Sequence, residues 1–171
     1  MRILGIDPGS RITGYGVIEL RGRQSVYLGS GCVRVEAERF PERLRAIFDG
    51  IGAVVREYAP EEIAVEKVFV QRNVDSALKL GQARGAALCA VMTQSLQIAE
   101  YSPAEIKKAL VGRGGADKRQ VQHMVKTLLQ LIDYPQVDAA DALACAVCHS
   151  HHRQTLSVLP ALARRRGGRW R

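Results

Sequence analysis

The sequence predicts an α/β domain: a mixed five-stranded sheet with helices on its faces. The chain begins with three β-prone runs separated by tight turns. It continues with short apolar strands that alternate with segments of helical periodicity. In this order the first three strands form an antiparallel meander, and the later strands join it in parallel through right-handed helical crossovers.

The meander is predicted from the first 35 residues. Residues 3–6 form a short apolar run, and Asp7–Ser10 has the composition of a turn that folds residues 13–20 back beside it. A third strand over residues 25–35 follows the tight turn at residues 21–23.

The first strand ends in a carboxylate. Asp7 follows a run that looks buried on both faces, and burying a carboxylate is costly unless a cation or hydrogen-bond donors meet it. Asp7 therefore either caps its own turn through Gly9 and Ser10 or holds a metal ion at the end of the sheet.

A helix and a second acidic strand end follow. Apolar residues recur at helical spacing from Phe40 until Ala59-Pro60 ends the helix. Residues 63–66 form a short apolar strand, expected to lie parallel to the first strand through a right-handed crossover. This strand also ends in a carboxylate, Glu66.

The second half of the chain is predicted to be mostly helical. A long helix over residues 74–96 contains Gly81 and Gly85, which are small enough to let another element approach closely. The remaining predicted elements are a strand over 98–101, a helix that starts at Ser102-Pro103, a glycine-rich loop over 111–116, a helix over 117–131 and a final helix from Val137 to about His151.

The final helix carries Asp138 and Asp141 on one face, because residues three apart are neighbours on a helix. Considered alone, the pair is best explained as an N-cap and its partner at the third helical position. A metal site gains support from the strands, since capping does not explain why Glu66 follows an apolar strand.

Four carboxylates gathered at one sheet edge would have a definite chemistry. If the first and fourth strands are adjacent, Asp7 and Glu66 meet, and the final helix can bring Asp138 and Asp141 to them. Four such acids repel one another, which raises their pKa values unless divalent cations neutralise them. Oxygen ligands suit magnesium or manganese, and two such ions about 4 Å apart can promote phosphodiester hydrolysis.

Several stretches, spread over residues 1 to about 150, resemble the RuvC family of bacterial Holliday junction resolvases. They are Gly5-Ile6-Asp7-Pro8-Gly9, Val65-Glu66, residues 75–85, residues 121–125 and residues 138–144. The resemblance implies a ribonuclease H-like fold and a homodimeric crossover junction endodeoxyribonuclease. Such an enzyme uses two magnesium ions per site, with manganese as a substitute, and nicks two strands of like polarity in a four-way DNA junction. It works with the RuvA and RuvB branch-migration proteins in recombination and repair.

The resemblance also implies roles for individual residues. Asp7, Glu66, Asp138 and Asp141 match the four catalytic acids, expected to be metal ligands, and Lys107 and Lys118 match catalytically important lysines. Phe69 matches an aromatic residue that engages bases near the junction; it could instead anchor its loop. Lys67 and Arg72, which flank Phe69, are expected to contact the DNA backbone.

The overall composition agrees with a nucleic-acid partner. The chain has 25 Lys and Arg against 17 acids and a net charge of +8, and five arginines lie between residues 164 and 171. We expect residues 1–153 to form the nuclease domain and residues 154–171 a basic, flexible tail. With no apolar run long enough for a membrane span, a cytoplasmic protein is expected, with its four cysteines as small core residues.

Two other classes of function are considered. The first is an ATP-binding domain of the actin and sugar kinase kind, whose phosphate loop also has an Asp-x-Gly after a strand. Such proteins need two copies of the fold, whereas 171 residues provide one. The second is a junction-binding module without catalysis, against which the presence of all four acids argues.

Overall fold

The computed structural model describes residues 1–68, 73–94 and 96–166, the last ten of them as backbone only. Ten elements follow one another along the chain. They are β1 (Arg2–Asp7), β2 (Ile12–Arg21), β3 (Gln24–Arg34), α1 (Phe40–Tyr58), β4 (Glu62–Glu66), α2 (Val74–Met92), β5 (Gln97–Tyr101), α3 (Pro103–Val111), α4 (Lys118–Leu128) and α5 (Val137–Arg166).

The five strands form one mixed sheet in the order β3-β2-β1-β4-β5. Strands β1, β2 and β3 pair antiparallel, whereas β4 pairs in parallel with both β1 and β5. The predicted meander and the parallel addition of the fourth strand beside the first are therefore confirmed.

Each face of the sheet is covered by helices. One face packs Leu4, Ile6 and Val17 against α1 and α2. The other face packs Ile3, Ile18 and Ala64, among others, against α3, α4 and α5. The alternation of side chains along β1 explains this division, since successive residues of a strand point to opposite faces.

Three helix ends differ from the sequence prediction. Helix α2 ends at Met92 rather than residue 96, and the Thr93 hydroxyl donates a hydrogen bond back to the Ala90 carbonyl at 2.8 Å. Helix α4 ends at Leu128 rather than residue 131, where Gln130 adopts a left-handed conformation without being glycine.

Helix α5 is the largest difference, because it continues to Arg166 instead of ending near His151. Its later residues include several good helix formers, which extend a helix that is already nucleated, although Pro160 lacks a backbone amide to donate to the preceding turn. The secondary structure therefore does not change at residue 154, where the basic tail was expected to begin.

Two further expectations concern the cysteines and the membrane. Cys145 and Cys148 are buried as expected, but Cys89 is exposed and Cys32 is only half-buried, so the prediction of four core cysteines was wrong for these two. Within the described ranges, no helix combines the length and the apolar character that crossing a bilayer requires.

Candidate active site

Two of the four acids lie side by side at one edge of the sheet. Ile6 of β1 pairs with Val65 of β4 in parallel register, so Asp7 and Glu66 are the next residues on two adjacent strands. Both side chains are half-buried. Since parallel strands end at the same edge, the register brings the two carboxylates together, as the sequence predicted.

Helix α5 brings the other two acids to this edge because glycines let it approach the sheet very closely. Gly14 lies opposite Asp7 in the β1–β2 pair. A Cβ atom added at Gly14 would lie 2.0 Å from the Asp138 carbonyl oxygen, and one added at Gly5 would lie 2.0 Å from the Ala142 carbonyl oxygen. Any larger residue at either position would push the helix, and its two acids, away from the sheet.

The alternative roles considered for these acids do not match the structure. The Gly9 amide donates to the Thr13 hydroxyl at 3.3 Å, and that hydroxyl donates to the Gly9 carbonyl at 2.9 Å, so Thr13 closes the turn that Asp7 was considered to cap. Helix α5 begins at Val137, which places Asp138 inside its first turn rather than at the N-cap.

The four carboxylates form an electrostatically coupled group, which we call the acidic cluster. Burial, followed by the charges of Glu66, Asp141 and Asp138, raises the pKa of Asp7 to about 8. Burial and the Asp141 charge raise the pKa of Glu66 to about 7, although Lys118 and Lys107 oppose the shift. Burial also raises the pKa of Asp141. Carboxylates in this state bind either protons or metal cations.

Two lysines face the acidic cluster from α3 and α4. The Lys118 ammonium donates to Asp141 Oδ2 at 3.3 Å, and this carboxylate is the main cause of a raised pKa of Lys118. Lys107 lines the same open pocket as Lys118, Glu66 and Asp141. The structure thus brings together six of the predicted site residues.

The predicted DNA-binding loop is only partly described. Lys67 directly follows Glu66, its side chain is exposed, and its backbone amide donates to the Tyr101 carbonyl at 2.8 Å. Phe69 and Arg72 lie outside the described residues.

Comparison with known proteins decides the family. A family model described as crossover junction endodeoxyribonuclease RuvC matches residues 3–149. The chain belongs to the RuvC family. Crossover junction endodeoxyribonucleases RuvC from Shewanella sp. MR-4 and Shewanella baltica OS155 are each 58% identical to this chain over 170 residues. Each alignment covers 99% of this chain and 98% of the relative.

Solved structures agree with the family assignment. A structure of Thermus thermophilus RuvC superimposes on this chain with a TM-score of 0.82 at 34% sequence identity. The structure of T. thermophilus RuvC in complex with a Holliday junction substrate gives a TM-score of 0.85, also at 34% identity. Both cover 91% of this chain and 96% of the other. The yeast mitochondrial Holliday junction resolvase has a TM-score of 0.68 at 12% identity, covers 95% of this chain and 85% of the other, and shows the shared fold alone.

RuvC enzymes are metal-dependent nucleases, and the donor set of this chain fits such a metal. All four side chains of the acidic cluster offer hard carboxylate oxygens, which suit magnesium or manganese. Within the described ranges, no three His, Cys, Asp or Glu side chains lie close enough together to form a finished ligand cage.

Sequence analysis did not identify three residues that support the site in this RuvC-family chain. Thr13 has a buried hydroxyl, Gly14 makes room for α5, and His149 forms a buried network with Tyr101 and Glu62. A glycine within a strand is a known signal of close backbone approach, and this signal could have identified Gly14. The partners of His149 lie 48 and 87 residues away, so no local pattern reveals them.

Proposed function

We propose that this protein resolves four-way DNA junctions by hydrolysing one phosphodiester bond in each of two strands of like polarity. The observation that carries the proposal is the acidic cluster: three elements place four half-buried carboxylates at one sheet edge, and burial together with neighbouring carboxylates raises the pKa values of Asp7 and Glu66. Family membership supports it, as does the similarity to a RuvC bound to a Holliday junction substrate. The process it would serve is DNA recombination and repair.

The proposed cofactor is a pair of magnesium ions per site, for which manganese can substitute. Asp7, Glu66, Asp138 and Asp141 would be the ligands. Such ions, when bound, supply an activated water and stabilise the leaving oxygen of the cleaved strand. The protein's own contribution is to hold these four oxygen donors half-buried at one edge of the sheet.

The two lysines are proposed to bind and orient the DNA phosphates. Lys118 has a raised pKa and therefore remains a cation at neutral pH. Its side chain is 76% exposed, so it can leave Asp141 for a phosphate without disturbing the fold. Lys107 lies in the same pocket and can bind a neighbouring phosphate oxygen.

We further propose that the loop after β4 contacts the DNA near the crossover. Phe69 would stack on an unpaired base, an interaction of about 1 to 3 kcal/mol per base, while Lys67 and Arg72 bind the backbone. Replacing Phe69 with Ala should impair junction cleavage far more than it lowers Tm, and Phe69→Trp should recover part of the activity. A large loss of folding stability with normal cleavage by the folded fraction would make Phe69 a core residue.

A homodimer is proposed because one chain carries one acidic cluster and paired cleavage needs two. Helix α2 offers a suitable surface, which we call the open face of α2: Val74, Leu78, Gly81, Gly85, Cys89 and Met92. The spacing of three and four residues places all six on one side of the helix. A Cβ atom added at Gly81 or Gly85 would meet nothing within 4 Å, so space remains for a second helix.

Two matched substitutions test the dimer. Gly85→Arg would insert a long charged side chain into the proposed interface, whereas Gly52→Arg adds the same side chain to α1, where the nearest neighbour of an added Cβ is the Arg56 guanidinium at 3.4 Å. Sedimentation velocity should give a monomer for Gly85→Arg and a dimer for Gly52→Arg. A dimeric Gly85→Arg variant would show that the open face is not the interface.

The nuclease proposal is tested with Asp7→Asn on a synthetic four-way junction and on duplex DNA of the same sequence. The wild type should cleave the junction only with magnesium or manganese, and the variant should not cleave it. Junction binding in chelator should persist or strengthen, because one negative charge near the phosphates is removed. Substantial magnesium-dependent cleavage by Asp7→Asn would disprove its role as a ligand.

This assay also separates the proposal from the two alternatives. A junction-binding module would bind without cleaving, and a protein of the actin and sugar kinase kind would respond to ATP rather than to DNA. The proposed partners in the cell are RuvA and RuvB, and the proposed location is the cytoplasm.

A further inference from the structure

His149 lies on α5, is buried, and joins two residues of the sheet. Its Nδ1 atom lies 2.7 Å from the Tyr101 hydroxyl, and its Nε2 atom lies 2.6 Å from Glu62 Oε2. A carboxylate only accepts hydrogen bonds, so Nε2 donates to Glu62. Burial raises the pKa of Tyr101 to about 12, so its hydroxyl keeps its proton and can donate to Nδ1. We call these three residues the His149 network.

The two partners of His149 lie at opposite ends of adjacent parallel strands. Glu62 is the first residue of β4 and is paired with Gln97, whereas Tyr101 is the last residue of β5 and is paired with Glu66. Four residues of strand separate the two positions, or roughly 13 Å along the strand direction. If α5 moved along the strands in either direction, one of the two hydrogen bonds would lengthen.

Arg153 strengthens the attachment at one end. One turn after His149, its guanidinium lies 3.2 Å from Glu62 Oε1, so successive turns of α5 contact the two oxygens of one carboxylate. Glu62 and His149 are both only 8% exposed. In such a dry environment a satisfied hydrogen bond is directional, and an unsatisfied partner is costly.

The rest of the contact between α5 and the sheet is apolar. Its buried residues include five alanines: Ala139, Ala140, Ala142, Ala144 and Ala146. These small side chains let the helix backbone lie close to the sheet, and Leu143 packs over Gly16 of β2. Apolar packing of this kind sets how deeply the helix sits, whereas buried hydrogen bonds add directional contacts that depend on its position along the strands. Within the described residues, side chains of α5 form hydrogen bonds or ion pairs with the strands at His149, Ser150 and Arg153.

The acidic cluster is at the other end of the same helix segment. Asp141 precedes His149 by eight residues, or about 12 Å of helix. A shift of α5 along the strands would move Asp138 and Asp141 relative to Asp7 and Glu66. The attachment at His149 opposes that shift.

We propose that His149 is a positioning residue whose bonds to Tyr101 and Glu62 set the position of α5 along the strands, and thereby the spacing between its two acids and those of the sheet. The inference rests on the proposed function, because that spacing determines how well the acidic cluster binds divalent metal. Supporting residues around metal ligands typically change metal affinity by 10- to 100-fold.

The test measures Mn²⁺ binding to the DNA-free protein from the free-ion signal in electron paramagnetic resonance. His149→Leu removes both hydrogen bonds and replaces the imidazole with an apolar side chain of similar size. Its Mn²⁺ affinity should fall about tenfold. Junction cleavage should then need more magnesium but approach the wild-type rate at saturation, and junction binding in chelator should be unchanged.

Val147→Ala is the matched control. Val147 lies two residues before His149 on α5, is buried in the same core, and has an apolar side chain that makes no hydrogen bond to the strands. It should lower Tm without changing Mn²⁺ affinity. Glu62→Gln retains an acceptor for His149 and should bind Mn²⁺ more tightly than Glu62→Leu. Tyr101→Phe loses one hydrogen bond of the network, so its Mn²⁺ affinity should lie between those of the wild type and His149→Leu.

The outcomes separate the two proposals. If wild type binds Mn²⁺ and Asp7→Asn does not, but folded His149→Leu binds it as tightly as Val147→Ala does, His149 only fills the core and this inference is wrong. If His149→Leu fails to fold, equal Mn²⁺ affinity of Glu62→Gln, Glu62→Leu and Tyr101→Phe also overturns it. Failure of the wild type to bind Mn²⁺ through Asp7 would instead disprove the proposed metal site.

Discussion

Strand β4 begins and ends with a glutamate, and the two are in opposite situations. Glu62 and Glu66 are four residues apart, so both side chains point to the face of the sheet that α5 covers. Glu62 has His149 and Arg153 as partners. Glu66 has no hydrogen bond or ion pair within the described part of the chain, and burial and Asp141 raise its pKa to about 7.

Glu62 is the more buried of the two, so it is the partners that set them apart. A buried carboxylate with complementary donors is part of the folded structure, and removing it leaves those donors unsatisfied. A carboxylate beside other carboxylates is a source of repulsion that only a proton or a cation relieves. The same residue type on one short strand therefore serves stability at one end and, in the function we propose, metal binding at the other.

The largest expected difference between the two glutamates is in catalysis. Glu66→Gln should lower junction cleavage by at least about 10³-fold, since the loss of an anionic ligand removes several kcal/mol of transition-state stabilisation. Glu62→Gln, the same change at the other end of β4, should retain most of the wild-type rate. Single-turnover cleavage at saturating magnesium measures both, and equal losses would show that the two glutamates do not differ in role.

The pH dependence of stability is the next largest effect. Asp7 and Glu66 have raised pKa values of about 8 and about 7, so the folded protein binds protons that the unfolded chain releases above about pH 4. The metal-free protein should therefore lose stability as pH rises from 5 to 9, by several kcal/mol, or roughly 10 to 20 °C in Tm.

Thermal melts in chelator measure this decline, and two comparisons isolate its cause. Asp7→Asn should reduce the decline, because its amide carries no titrating charge. Magnesium should reduce it in the wild type by replacing the lost protons. A wild-type Tm that is constant over this pH range would mean that the acidic cluster is not strained in the metal-free protein.

The smallest expected effect is a contrast in folding stability. Glu62→Leu leaves the His149 Nε2–H group buried without an acceptor, which should cost about 1 to 3 kcal/mol. Glu66→Leu removes a half-buried charge that has no partner, so it should be neutral or stabilising in chelator at pH 8. Urea unfolding measures both changes, and a destabilisation by Glu66→Leu as large as that by Glu62→Leu would contradict the comparison.

The fold was largely predictable because its signals are local. The strand pattern of residues 3–35, the apolar strand that ends at Glu66 and the capping box at Ser102 each lie within a few neighbouring residues. The helix ends were less predictable, since Thr93 and Gln130 terminate their helices through backbone geometry that their residue types do not demand.

The sequence by itself determined the order of the elements and the placement of each acid at the end of a strand or the start of a helix, because periodicity and turn chemistry act over short distances. Only the tertiary structure decided that Lys118 pairs with Asp141, and that Glu62 is paired while Glu66 is not. Those outcomes depend on contacts between residues up to 87 positions apart, where packing selects the partner and no local pattern records it.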